Sequence, residues 1–483
     1  MSKRGWMILG ALSLLGVSLY AILMQGKSLA DIPAGTGYAA LDLCSRTMVT
    51  GEPPEQVRTR YLEPRVQPLP NYWEVERVVE QYVAVSTWLP GLEHRRRAIY
   101  REGLGCTVLA PGADEASVRA QELRPPTALP PDARPWPLGE GPAADGGLEA
   151  ASREVVDRHA TRLFDPQAAA TDGFPWNTTA LLIAREGELV YERYGQGHTR
   201  EQRQLGWSMT KTLTAIIAGT LAREGKLALD EPVGLPRWQG TPKADITWRA
   251  LLNMAPGLAW DEGYAGASDA TEMLFSQPDQ GAWAADRPLT SEPGTVFNYS
   301  TGFPNIAMLR MRQLLGGSPE AIQAHYQRRL FAPLGIRAGV IEVDASGTPV
   351  GGARGLLRPV DWLRLGQLLQ NGGSWDGAEV LAPEWVRFMF AASEADAQYG
   401  GYLWRQPCPR IEPALRARLP EDLVFFAGVM GQFVVIVPGE DLIVLRMGVS
   451  LVPHDRAHDV VLNAVLELVA DLLTVGDTAP RGD

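Results

Sequence analysis

The sequence predicts a mixed α/β (α+β) fold, with an antiparallel sheet built from both ends of the chain and flanked by helices. One strand–turn–strand pattern lies at residues 180–191, and a second lies at residues 432–445. Between them the sequence is mainly helical and rich in loops. We therefore expect the two hairpins to share one sheet, with a mainly helical region inserted between them.

Each predicted hairpin has apolar runs on both sides of a polar turn. The runs are residues 180–184 and 189–191 around Glu186-Gly187-Glu188, and residues 432–437 and 442–445 around Pro438-Gly439-Glu440-Asp441. Short polar turns of this kind connect neighbouring antiparallel strands. The apolar residues 460–473 then predict a closing helix.

The composition limits the classes of function. The chain has 483 residues and a net charge of -11, so the basic surface expected of a nucleic-acid-binding protein is missing. Its 45% hydrophobic residues and 14 Trp indicate a packed globular protein. The three cysteines form no C-x-x-C pair, and no histidine lies in a metal-binding motif. We expect no metal and no cofactor.

The first 30 residues predict a membrane anchor. Residues 5–24 carry no charge, and they follow Lys3 and Arg4. About 20 uncharged residues can cross a bilayer as a helix, and the preceding charges place the rest of the chain outside the cytoplasm. A cleaved signal peptide is the alternative, since Ser28-Leu29-Ala30 offers a cleavage site.

Residues 31–150 are expected to form an N-terminal extension that ends in a Pro/Gly-rich linker, before a main domain at residues 151–475. Outside the cytoplasm the cysteines can oxidise. Three pairings are possible among Cys44, Cys106 and Cys408. We favour a structural Cys44–Cys106 disulfide, which closes a loop of about 60 residues.

The strongest candidate for chemistry is the apolar helix that begins near Ser208 and holds one charge, Lys211. A buried ammonium is costly unless it is paired or loses its proton. Ser208 lies one helical turn earlier on the same face, so Lys211 can accept its proton and activate it as a nucleophile. The alternative is structural, with Ser208 capping the helix and Lys211 reaching solvent.

Two later segments offer supporting groups. Tyr299 lies in a turn-rich loop and could relay a proton, although a packing role is the plainer interpretation. Glycines in Phe426-Ala427-Gly428-Val429-Met430-Gly431-Gln432 would let main-chain N–H groups approach a substrate, as an oxyanion hole requires.

Together these motifs resemble the serine β-lactamase and penicillin-binding-protein superfamily, nearest the class C β-lactamase and 6-aminohexanoate-dimer hydrolase branch. The similarity covers roughly residues 175–450. It also rests on three further segments: Ile246-Thr247-Trp248-Arg249-Ala250-Leu251-Leu252-Asn253-Met254, Asp361-Trp362-Leu363-Arg364-Leu365-Gly366 and Asn371-Gly372-Gly373-Ser374-Trp375-Asp376-Gly377.

The resemblance implies a β-lactamase-like fold and a role for each motif. Ser208 would be acylated, Lys211 would accept its proton, and Tyr299 would relay a proton to the leaving group. The main-chain N–H groups of Ser208 and Gln432, beside Gly431, would form the oxyanion hole.

Two departures from the family pattern concern the substrate. Thr301 replaces the Asn of the Tyr-x-Asn motif, so a shorter hydroxyl would contact the substrate amide. Val429-Met430-Gly431 replaces Lys-Thr-Gly, so the cation that binds a substrate carboxylate is missing. Arg354 is the next candidate for that cation.

We therefore expect a β-lactamase-related serine esterase or amidase. It would be anchored by one span in a bacterial inner membrane, with residues 151–475 facing the periplasm and acting on a small ester or amide. The alternative is a non-catalytic β-lactamase-like module that binds a cell-wall or protein ligand. The sequence does not set the oligomeric state.

Overall fold

The computed structural model describes residues 16, 31–66, 71–74, 82–89, 92–123, 132–144, 147–165, 167, 174–450 and 457–476. The predicted anchor, residues 1–30, lies outside these residues except for Gly16. Within the described ranges, no helix has both the length and the apolar character needed to cross a membrane.

Both helices and strands occur along the described chain. The α-helices are α1 (Asp31–Cys44), α2 (Pro54–Val57), α3 (Glu63–Val66), α4 (Glu115–Ala120), α5 (Ala150–Phe164), α6 (Met209–Arg223), α7 (Trp248–Leu252), α8 (Asp269–Ser276), α9 (Gln280–Ala285), α10 (Gly302–Leu314), α11 (Pro319–Tyr326), α12 (Pro359–Gln370), α13 (Pro383–Phe390), α14 (Pro413–Arg416) and α15 (Ala457–Gly476). The strands are β1 (Asn71–Glu74), β2 (Tyr82–Leu89), β3 (Leu92–Arg101), β4 (Gly105–Val108), β5 (Thr178–Arg185), β6 (Glu188–Tyr194), β7 (Gln204–Leu205), β8 (Val340–Ile341), β9 (Gly355–Leu357), β10 (Ser374–Trp375), β11 (Ala378–Glu379), β12 (Trp404–Arg405), β13 (Val424–Gly428), β14 (Gln432–Val437) and β15 (Leu442–Gly448).

The central sheet is antiparallel, and its order in the described chain is β12-β13-β14-β15-β5-β6. Strand β15 pairs with β5, so that Leu445 lies opposite Leu182. The two predicted hairpins therefore share one sheet, which confirms the predicted fold class. Smaller antiparallel sheets are β1-β2-β3-β4, β7-β9-β8 and β10-β11.

The turns explain why both hairpins form where the sequence predicts them. Between β5 and β6, Glu186 and Gly187 both have positive φ, 51° and 77°. Positive φ at both central residues gives the turn whose twist matches that of paired strands. Between β14 and β15, residues 438–441 close the hairpin, and Val437 pairs with Leu442.

Helices cover the sheet and fill the region between the hairpins. Helix α12 packs on β14, β15 and β5, and Gly366 brings it close to Val434 and Ile443. Helices α15 and α5 pack against each other, and α15 extends the predicted closing helix to Ala457–Gly476. Helices α7–α11 form the predicted helical insertion.

The N-terminal extension contains more regular structure than an extended linker. Helix α1 packs against β2, β3 and α8. Its Tyr38, Leu41 and Leu43 are buried in the same core as the central sheet. The boundary near residue 150 stays a prediction, and the prolines at 125–131 lie outside the described residues.

The predicted disulfide is present. Cys44, the last residue of α1, is bonded to Cys106 in β4. Cys408 is free and buried. The bond joins the helical and the strand part of the N-terminal extension.

Candidate active site

Ser208 lies directly before α6, and the helix is buried from Met209 to Leu221. The Ser208 hydroxyl caps no main-chain N–H group. The preceding residue, Trp207, has a φ of 48°, which is strained for a bulky side chain by on the order of 1–3 kcal/mol. Contacts with surrounding residues must hold this conformation, which fixes the direction of the main chain at Ser208.

Lys211 is buried, with 1% of its surface exposed, so it does not reach solvent. Its Nζ lies 2.7 Å from Oγ of Ser208, 2.9 Å from Oγ1 of Thr301 and 3.0 Å from the carbonyl oxygen of Gly352. Thus the structure brings Ser208 and Lys211 into direct contact, in the geometry of a nucleophile and its base.

Glu262 is a further residue near Lys211, and the sequence analysis did not identify it. The Thr301 hydroxyl and main-chain N–H donate to its two carboxylate oxygens, at 2.5 and 2.7 Å. The indole of Trp260 and the hydroxyl of Tyr264 also donate to it. Its Oε1 lies 3.9 Å from Nζ of Lys211. No motif marks Glu262, which lies in a loop before α8.

Thr301 is fully buried inside this network rather than exposed to a substrate. Its Oγ1 also lies 2.8 Å from the hydroxyl of Tyr264. Burial and the Glu262 carboxylate raise the pKa of Tyr264 well above its usual value, so this phenol stays protonated. The Tyr264 ring is partly exposed and borders the site.

The ring of Tyr299 packs against the amine of Lys211. Its ring centroid is 4.7 Å from Nζ of Lys211, and its hydroxyl has no hydrogen-bond partner among the described residues. Its ring packs at 5.3 Å from Trp404 and 6.0 Å from Tyr399. With Phe297, which is 5.2 Å from Tyr399, these side chains form an aromatic wall.

Strand β13 of the central sheet contacts the loop that precedes Ser208. At its end a Cβ on Gly428 would lie 2.2 Å from the carbonyl oxygen of Gly206, so only glycine fits. Val429 and Met430 follow in the turn to β14, where Met430 has a φ of 68° and Gly431 has one of 90°.

Gln432 and Gly431 lie on the far side of this turn. Gln432 opens β14 and pairs with Gly428, so β13 lies between Gln432 and α6. Its side chain contacts Gly448 and the Val429 carbonyl. Gly428 therefore lies against Gly206, two residues before Ser208, and Gln432 lies one strand further from it.

A buried arginine supports the same turn. Arg446 donates to the carbonyl oxygens of Met430 and Gly431, at 3.3 and 2.7 Å. It has no carboxylate partner in the described part of the chain, and burial lowers its pKa to about 9. Arg354, the alternative cation for a substrate carboxylate, is 1% exposed and paired with Asp42 and Glu342, so it cannot reach a substrate.

A serine at a helix N-terminus, in contact with a buried lysine three residues later, is the arrangement typical of serine hydrolases of the S-x-x-K type. The sequence profile of the family described as Beta-lactamase matches residues 171–466. The chain belongs to this family, which confirms the predicted resemblance and agrees with the predicted enzyme class.

The relatives that this chain resembles are distant in sequence. The 6-aminohexanoate-dimer hydrolase of Paenarthrobacter ureafaciens is 23% identical over 258 residues, which is 50% of this chain and 64% of that relative. The structure of a proposed 6-aminohexanoate-dimer hydrolase from Bacillus anthracis has a TM-score of 0.53 at 18% identity, covering 72% of this chain and 90% of that one. The structure of EstCE1, a hydrolase with promiscuous acyltransferase activity, has a TM-score of 0.51 at 19% identity, covering 67% and 100%.

Proposed function

We propose that this protein is a serine hydrolase that forms an acyl-enzyme at Ser208 on an uncharged ester or amide. One observation carries the proposal, namely the set of three oxygen atoms around Nζ of Lys211. The Gly352 carbonyl can only accept a hydrogen bond. Thr301 must also accept from Lys211, because its own hydroxyl hydrogen is donated to Glu262.

A neutral amine has two N–H groups and one lone pair. In this form Lys211 would donate its two N–H groups to Gly352 and Thr301 and turn its lone pair to the Ser208 hydroxyl. This arrangement favours transfer of the hydroxyl proton to Nζ as Oγ attacks the substrate carbonyl. The Glu262–Thr301 pair thereby orients the base.

The remaining groups have roles in the same reaction. The N–H of Ser208, at the N-terminus of α6, would donate to the developing oxyanion. We assign the second donor to the main chain at Gly428–Val429, because β13 is the strand beside Gly206. Tyr299 would protonate the leaving group. Water then hydrolyses the acyl-enzyme, which restores the Ser208 hydroxyl and releases a carboxylic acid.

The surroundings favour an uncharged, partly apolar substrate. Phe297 and Tyr299, the partly exposed members of the aromatic wall, can pack against an apolar group, and the buried Tyr399 and Trp404 support them. Val429 and Met430 offer no cation for a carboxylate, and burying an unpaired anion against them costs several kcal/mol, by rough estimate.

We also propose that residues 1–30 anchor the enzyme in a bacterial inner membrane and that its catalytic domain faces the periplasm. The support is the uncharged run at residues 5–24 after Lys3 and Arg4. The full-length chain should fractionate with membranes, and a periplasm-dependent reporter fused after Asp483 should be active. A mature chain that begins near Asp31 and is free in solution would instead indicate a cleaved signal.

The decisive test of the enzyme is covalent labelling with a neutral fluorophosphonate. Intact-protein mass spectrometry should show one adduct on the wild type and none on Ser208→Ala. A wild type that stays unlabelled, and that hydrolyses none of a library of neutral esters and amides, would favour the non-catalytic binding module.

A further inference from the structure

Arg354 connects the N-terminal extension to the catalytic domain. Its guanidinium is fully buried and lies within 2.7 Å of the Glu342 carboxylate, 3.3 Å of Asp42 and 2.5 Å of the Ser45 hydroxyl. Burial alone would raise the pKa of Asp42, but Arg46 and Arg354 together hold it below its usual value. Asp42 therefore stays ionised in the folded protein.

The disulfide lies directly beside this cluster. Ser45, which follows Cys44, donates to Glu342 at 2.8 Å. The main-chain N–H of Cys106 donates to the same carboxylate, also at 2.8 Å. The Cys44–Cys106 bond thus joins the two segments that hold Glu342, and Glu342 holds Arg354.

Arg354 is also close along the chain to a residue that contacts Lys211. Gly352, two residues earlier, accepts a hydrogen bond from Nζ of Lys211 at 3.0 Å. The main chain of Arg354 is bonded to Val350 and to Glu342, which leaves the segment between them little freedom. Arg354 thus holds one end of the segment that carries the Gly352 carbonyl, and through this segment its contacts help to fix where that carbonyl meets Nζ of Lys211.

A second contact reaches the other partner of the catalytic pair. The ring of Tyr38, in α1, stacks on Trp207 with the centroids 6.3 Å apart and the planes at 21°. The Arg354 guanidinium lies 5.5 Å from the centroid of the Trp207 ring. Trp207 is the strained residue before Ser208, so the extension contacts two side chains near the Ser208–Lys211 pair, namely Trp207 and Arg354.

We propose that residues 31–62, fastened by the Cys44–Cys106 disulfide, are a positioning element of the active site. Arg354 is the positioning residue through which this element sets the Gly352 carbonyl and Lys211. The inference rests on the proposed function. It makes the N-terminal extension part of the catalytic apparatus, although none of its residues would touch the substrate.

The test compares Arg354→Lys, Asp42→Asn, Ser45→Ala and the double variant Cys44→Ser/Cys106→Ser in the full-length chain. The matched controls are Arg60→Ala, which removes a contact of the same segment to the Gln196 carbonyl, and Cys408→Ser. For each protein we would measure the rate of fluorophosphonate labelling from pH 6 to 10, kcat and KM for a neutral nitrophenyl ester, and the melting temperature.

We expect kcat and the labelling rate of the cluster variants to fall by about 10- to 10²-fold, as for a small misplacement of a catalytic group. Their KM should change less than about threefold, and the acid limb of the labelling profile should shift. Arg354→Lys should lose less activity than Asp42→Asn, because an ammonium can still bond Glu342. The controls should keep the wild-type kcat and pH profile.

Two outcomes would overturn the proposal. If Ser45→Ala and the double cysteine variant melt earlier but keep the wild-type kcat and pH profile, the extension has only a structural role. If the cluster variants and Arg60→Ala lose kcat equally, the effect is general loosening. A wild type that is not labelled at all would overturn the proposed function itself.

Discussion

The Thr301 hydroxyl donates a 2.5 Å hydrogen bond to the Glu262 carboxylate. Because this bond uses the only hydrogen of the hydroxyl, Thr301 can interact with Lys211 only as an acceptor. A carboxylate in a loop thereby decides the direction of a hydrogen bond at Lys211, the base in the proposed mechanism. Four predictions follow from this site and from the fold around it.

Glu262→Gln should lower kcat by about 10- to 10²-fold and leave KM nearly unchanged. The amide oxygen can still accept the N–H bonds of Thr301 and Trp260, but the NH₂ group then replaces Oε1 and cannot accept the hydroxyl hydrogens of Thr301 and Tyr264. Steady-state kinetics on a neutral ester will measure the effect. The matched control is Asp261→Asn, next to it, whose carboxylate accepts from Gly263 at the surface. Equal kcat in Glu262→Gln and the wild type would show that Thr301 is oriented by other contacts.

Lys211→Ala should slow acylation of Ser208 by at least about 10²-fold, the lower end of the effect of a positioned general base. The time course of fluorophosphonate labelling, followed by intact-protein mass spectrometry, will give the rate. Lys226→Met, which removes a surface lysine at the end of α6 that pairs with Glu224, is the control. Labelling of Lys211→Ala at the wild-type rate would assign the base to another residue.

Val429→Lys should raise the preference for substrates that carry a carboxylate. The wild type should hydrolyse a neutral ester better than its carboxylate-bearing analogue by on the order of 10³-fold, because the apolar turn cannot neutralise an anion. The ratio of kcat/KM for the matched pair, measured on both proteins, tests this. A wild type that already prefers the carboxylate, with a ratio unchanged in Val429→Lys, would mean that the anion is bound elsewhere.

The stability of the fold should decrease with rising pH through Asp344. Burial and the nearby Asp279 raise the pKa of Asp344 to about 7, from an ordinary value of 3.8. The folded chain then retains this proton where the unfolded chain has lost it. The resulting stabilisation is complete below about pH 4 and lost as the pH rises through 7, and it amounts to roughly 4 kcal/mol.

Urea unfolding at pH 5 and pH 8 will measure this dependence. Asp344→Asn should be less sensitive to pH than the wild type, since an amide cannot ionise. Asp286→Asn, a surface carboxylate, is the control. Wild-type and Asp344→Asn proteins that lose the same stability between the two pH values would show that Asp344 does not cause the dependence.

The sequence by itself determined the features that depend on neighbouring residues. Two polar turns between apolar runs gave the hairpins at residues 180–191 and 432–445, and both form as predicted. One charge in an apolar helix identified Lys211, and helical spacing placed Ser208 beside it. These inferences succeed because the periods of strands and helices are short and are visible in a few consecutive residues.

Only the tertiary structure decided which groups surround that pair. Glu262, Thr301 and Gly352 meet at Lys211 from separate parts of the chain. A motif position identified Thr301, but no local pattern marks Glu262 or Gly352 or places Thr301 against the lysine. The packing of the N-terminal extension against Trp207 and Arg354 was likewise not visible in the sequence. Such contacts join residues far apart along the chain, and they arise from how the helices and the sheet pack rather than from the propensity of any one segment.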